Sequence, residues 1–157
     1  MKRKIASTTF VIVFVATLVL SVAMPAQAGD AACSFVRAAG TYGTSDSGTV
    51  IGIGPRAAVA LLTFDAAGNF KGKVTASLNG AVTNTTASGT YTVNPDCTGT
   101  VSFSEFDQSG NLVLTATAGL VWDDNMREVR FLFTSAALPD GTPLATVIVG
   151  DARKLVP

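Results

Sequence analysis

The chain has 157 residues, 48% hydrophobic and 14% charged, with 11 Lys+Arg against 11 Asp+Glu and no histidine. Zero histidine excludes a Ser-His-Asp triad, a histidine acid–base pair and an imidazole metal site. The basic residues outside the N-terminus are scattered, whereas nucleic acid and anionic membrane both require clustered cations, so neither is expected as a partner.

Residues 1–28 read as a secretory leader. Lys2, Arg3 and Lys4 form a basic start, an apolar run follows from Phe10 to Ala23, and Pro25-Ala26-Gln27-Ala28 supplies small residues at a cleavage site after Ala28. The run is short for a membrane span of ~20 residues. Cleavage would leave one domain over 29–157 in a secreted or periplasmic location, with 8 Lys+Arg against 11 Asp+Glu.

Residues 29–39 form a short arm with a helical turn expected around Ser34 to Ala38. Gly40 to Gly54 carries five glycines among Thr, Ser and Asp, which predicts a broken or edge-like strand. Ala57 to Asp65 is strongly apolar and reads as a strand buried on both sides. Asn69 to Leu78 alternates cleanly, with Phe70, Gly72, Val74, Ala76 and Leu78 on one face and Lys71, Lys73, Thr75 and Ser77 on the other, the period of a half-buried strand. Asn79-Gly80 is a preferred type I′ hairpin turn. It returns the chain into a Thr-rich strand with Ala87, Gly89, Tyr91 and Val93 on one face. After Asn94-Pro95-Asp96, strands follow over Gly99 to Phe106, Leu112 to Trp122, Met126 to Thr134 and Leu144 to Gly150.

One turn occurs twice: Phe64-Asp65-Ala66-Ala67-Gly68-Asn69 returns as Phe106-Asp107-Gln108-Ser109-Gly110-Asn111. Gly and Asn tolerate the positive φ that such hairpin loops need. About eight short strands in sequential hairpins predict an all-β fold, an eight-stranded antiparallel up-and-down barrel of calycin-like type, with a β-sandwich as the alternative. Such a barrel is just wide enough to be filled by side chains or to hold one small ligand. Cys33 and Cys97, the two cysteines, are expected to form a structural disulfide closing a loop of about 65 residues, for which chain entropy gives roughly 4 kcal/mol. No metal site and no cofactor are expected.

The pattern Cys-x(n)-Gly-Thr-Tyr, then Phe-Asp-x-x-Gly-Asn-Phe-x-Gly, then Asn-Gly, then Gly-Thr-Tyr-Thr-Val-Asn-Pro-Asp-Cys-Thr-Gly-Thr, with its matching residues from Gly40 through Thr100, resembles exported bacterial and fungal proteins with an allene oxide cyclase-like barrel. The resemblance implies a calycin-type barrel with a cavity for an apolar molecule. No catalytic residue of those cyclases, or of the related spirotetronate-forming cyclases, maps onto this chain.

Three functions remain open: binding of a small apolar or amphipathic molecule, a cyclase or isomerase acting by confinement, and a non-catalytic interaction scaffold. The candidate ligand-binding residues are Tyr42, Phe70, Tyr91, Phe103, Phe131 and Phe133, aromatic walls with two hydroxyl handles. Glu105 is the one weak catalytic candidate. Strict alternation places it on the apolar face of its strand beside Val101 and Phe103, whereas a bulge next to the turn would send it outward and Phe106 inward. Arg127 shares the parity of Val129, Phe131 and Phe133 and is a candidate inward partner.

Overall fold

The computed structural model describes residues 33–155. The leader expected over 1–28 lies outside them. A short helix α1 (Phe35–Ala38) precedes eight strands: β1 (Gly40–Val50), β2 (Gly54–Phe64), β3 (Asn69–Leu78), β4 (Ala81–Tyr91), β5 (Thr98–Phe106), β6 (Leu112–Asp123), β7 (Glu128–Ala137) and β8 (Thr146–Lys154). Each pairs antiparallel with its sequence neighbours, and β8 returns to β1, so the sheet closes as an up-and-down barrel. Closure leaves no strand without a partner on each side over at least part of its length.

The turns follow their local chemistry. Asn79 and Gly80 both take positive φ, 50° and 87°, as a type I′ turn requires. In the repeated turn, the Asp65 carboxylate accepts the backbone N–H of Ala67 and of Asn69, and Asp107 does the same for Ser109 and Asn111. Gly68 and Gly110 supply the left-handed residue in each copy, at φ 88° and 82°. These donated hydrogen bonds hold both carboxyls below the ordinary aspartate value, with the contacts from Asn69 and Asn111 dominant.

Two expectations about strands are corrected. β1 is unbroken and paired on both sides. Gly48 fits a tight wall: a Cβ there would collide with the Val147 carbonyl oxygen on the neighbouring strand. β2 is not buried on both faces. Arg56, Ala58, Ala60, Leu62 and Phe64 point inward, while Val59 and Leu61 are 60% and 50% exposed. In an eight-stranded barrel each strand has only one inner face, so a continuous apolar run must place half its side chains outside. The last strand also runs beyond its expected end, to Lys154.

One end of the barrel is plugged. Phe35 packs edge-on against Tyr91, and Tyr42, Phe64 and Trp122 contact one another beneath the sheet, with ring centroids 5.2–6.1 Å apart. Cys33 and Cys97 are bonded across a separation of 64 residues. The β6–β7 turn places Asp124, Asn125 and Met126 at positive φ. Such a conformation costs roughly 1–2 kcal/mol per residue. It is held by the burial of Met126, 1% exposed, and by the Tyr42 hydroxyl donating to its carbonyl. Lys154 donates through Nζ to the carbonyls of Arg37 and Ala39, fastening the arm to the last strand.

Candidate functional site

Above the aromatic plug, the barrel interior becomes polar. β1 presents Thr44 and Asp46 inward, β2 presents Arg56, and β5 presents Glu105. Thr44, Arg56 and Glu105 are 9%, 9% and 6% exposed. Arg56 forms a salt bridge with Asp46, and its guanidinium lies 5.6 Å from the centroid of the Phe133 ring. Thr85 donates its hydroxyl to Glu105 Oε2 at 3.0 Å. Burial pushes the Asp46 carboxyl above its ordinary value; Arg56 opposes this and the nearby Glu105 charge adds to it.

These groups line a cavity of about 70 Å³ whose remaining wall is apolar, including Leu62, Phe70, Phe103, Phe131 and Phe133. A second void of about 90 Å³ lies toward the end opposite the plug, bounded by Val50, Leu78, Leu114, Leu144 and Ile148. Arg56 and Phe133 border both voids and form the partition between them. The inner cavity has room for a few waters. Neither void approaches the ~300 Å³ at which small-molecule pockets begin. The interior is therefore mostly filled, with residual space on both sides of one guanidinium.

The wall beside the outer void is incomplete. β7 and β8 pair only from Glu128–Arg153 to Leu132–Val149. Beyond that point the 138–145 connection intervenes, attached by the bridge of Ala137 to Pro143 and by the Leu144 N–H donating to the Ala136 carbonyl.

Glu105 faces inward. The bulge sits one residue later, between Glu105 and Phe106, so it does not reverse Glu105. Of the six aromatics, Phe70, Phe103, Phe131 and Phe133 lie on the cavity wall, whereas Tyr42 and Tyr91 lie in the plug below it. Their hydroxyls are occupied by backbone: Tyr42 donates to the carbonyls of Ala38 and Met126, and Tyr91 to that of Asp65. Arg127 is not the inward cation. It sits exposed in the β6–β7 turn at the plugged end. Arg56 takes that place, and the parity it shares with Ala58, Ala60 and Leu62 was the available signal. Asp46 carried a similar one, since it shares the parity of Tyr42 and Val50. Among the described residues, no group of three or more Cys, Asp or Glu is arranged to hold a metal ion.

Burial raises Tyr42 well above the ordinary tyrosine range and, with the Asp65 charge adding, pushes Tyr91 up to about 12. These are the only two tyrosines. Their contribution to stability is whole below the ordinary value of 10.0 and is lost as pH rises through the raised folded values. Tyrosinate absorbance is therefore expected to stay flat through pH 10 and to rise only together with loss of the far-ultraviolet circular dichroism. A separate tyrosine transition near 10 in folded protein would contradict the buried placement.

No protein-family model and no curated protein matches this chain. Among solved structures, EF1p2_mFAP2b bound to DFHBI is similar at 12% identity and a TM-score of 0.55, covering 78% of this chain and 100% of that one. The redesigned β-barrel mFAP1, bound to DFHBI, is similar at 11% identity and a TM-score of 0.52, covering 77% and 98%. The S-type phycobiliprotein lyase CPES from Guillardia theta aligns at 10% identity and a TM-score of 0.46, covering 78% and 91%. At such identities the likeness is one of fold: this chain is a closed eight-stranded antiparallel barrel of calycin-like type.

Proposed function

We propose that this is an exported barrel that binds a small amphipathic molecule in its upper interior. The observation that carries the reading is the buried set Asp46, Arg56 and Glu105 on an otherwise apolar wall beside residual space. Burying an ion costs several kcal/mol even after relaxation, and an apolar core of equal volume is often the more stable choice. Three interior charges are a costly feature for a barrel serving only as scaffold. Two solved barrels of the same fold hold DFHBI. The disulfide, a bond that persists in oxidising compartments, supports export.

Binding requires Phe133 to move aside while Arg56 stays paired with Asp46, joining the two voids into one pocket. The test uses the chain from residue 29 onward. Native mass spectrometry should reveal a co-purifying small molecule, or the neutral fluorophore N-phenyl-1-naphthylamine should bind saturably at one site per chain. Absence of both leaves a filled scaffold and ends this reading.

The inward Glu105 favours a second reading, a cyclase or isomerase of the allene oxide cyclase-like kind implied by the sequence resemblance. Holding one reactive conformer in place can itself contribute several kcal/mol to a ring closure, with Glu105 as the acid or base. Chromatographic recovery of the bound molecule separates the two: an unchanged ligand means binding, a rearranged isomer means catalysis.

A further inference from the structure

Glu105 is the interior charge that the protein leaves uncompensated. It is 6% exposed and receives one hydrogen bond, from the neutral Thr85 hydroxyl. Arg56 is committed to Asp46, and among the described residues no basic side chain forms an ion pair with Glu105. The cavity wall therefore carries two carboxylates against one guanidinium. The same wall is aromatic, with Phe103, Phe131 and Phe133 in a continuous chain of ring contacts at 5.7 and 6.2 Å between centroids. Ring faces are electron-rich and attract cations, as the Arg56 guanidinium over Phe133 already illustrates.

Both features select the same ligand chemistry. A carboxylate ligand would meet Glu105 with the guanidinium already engaged. A purely apolar ligand would displace water and leave a buried carboxylate with one donor, which is costly. A cation completes the charge balance and also gains the ring faces.

We propose that the interior site selects a small organic cation, an alkyl- or arylammonium. Its nitrogen pairs with Glu105, and its apolar body lies against Phe103 and Phe131. The proposal rests on the reading that the interior binds a small molecule at all, and it adds which charge that molecule carries.

The test compares benzylammonium, benzyl alcohol and benzoate by calorimetric titration of the chain from residue 29, with amide chemical shifts locating the site. Benzylammonium is expected to bind about tenfold or more tightly than benzyl alcohol, the worth of a hydrogen bond to a charged group, and benzoate the weakest. Glu105→Gln should remove that preference, bringing the ammonium and the alcohol to similar affinity, while Glu105→Asp should retain the preference. Equal binding of the ammonium and the alcohol, or a preference that survives Glu105→Gln, overturns the assignment. Should Glu105→Gln fail to fold, the three-ligand comparison on the native protein decides the matter alone. Alcohol binding without ammonium preference defeats this inference and leaves interior binding standing. Failure of all three ligands and of N-phenyl-1-naphthylamine defeats both.

Discussion

Replacing Arg56 by methionine is expected to lower stability by about 3–5 kcal/mol, because removing one partner of a buried ion pair strands the other. Two carboxylates, Asp46 and Glu105, would then face one apolar interior with no cation. For a domain of this size that loss lowers the thermal midpoint by roughly 10–20 °C. Adding Asp46→Leu to Arg56→Met should recover most of the loss, since a well-packed apolar pair of similar volume is often neutral or stabilising relative to a buried ion pair. Thermal and urea melts of the single and double variants measure both effects. A loss below about 1 kcal/mol for Arg56→Met would place the pair among exposed salt bridges and would show the interior to be wetter than its burial implies.

Reduction of Cys33–Cys97, or Cys97→Ala, is expected to cost about 2–5 kcal/mol, out of a total of roughly 5–15 for a domain. Most of the cost lies in the unfolded chain, which regains the freedom of a loop of 64 residues' separation. The native consequence is local. The arm from Cys33 to Ala39 is short, and its other ties include the Phe35–Tyr91 ring contact, the Ser34 N–H on the Met126 sulfur, the Arg37 guanidinium on the Asn125 carbonyl, the Tyr42 hydroxyl on the Ala38 carbonyl and the Lys154 ammonium on two carbonyls. Amide hydrogen exchange should therefore rise first over residues 33–39 and the 124–126 turn, before the strands. A thiol assay on unfolded, unreduced protein checks the premise: two reactive thiols per chain would contradict the bond. Uniform exchange across the whole barrel on reduction would contradict the local order of release.

The β3–β4 hairpin was legible because its determinants are local. Asn79-Gly80 sets the turn through its own φ preferences, and the alternation from Phe70 to Leu78 sets the face within one strand. The two Phe-Asp-x-x-Gly-Asn turns were legible for the same reason, each closed by a carboxylate reaching N–H groups two and four residues on. β1 was not. Its glycine-rich sequence has little intrinsic strand preference, and it is held by pairing to β2 on one side and to β8, about a hundred residues away, on the other.

The site divides in the same way. Alternation offered Glu105 an inner position but left a bulge as the alternative, and the structure decided between them; the sequence by itself determined the all-β class, the turn positions and the pairing of two cysteines. Only the tertiary structure decided that Arg56 rather than Arg127 is the inward cation, that Tyr42 and Tyr91 spend their hydroxyls in the plug, and that Asp46 meets Arg56. Apart from the Tyr42 hydroxyl on the Ala38 carbonyl, which spans 4 residues, those contacts span 10 to 84 residues and exist only once the register Asp46 to Ala58 and the closure of β8 onto β1 are set. Backbone preference acts over a few residues. Burial of a charge and choice of its partner are properties of the closed barrel, where strand register determines which side chains share the interior.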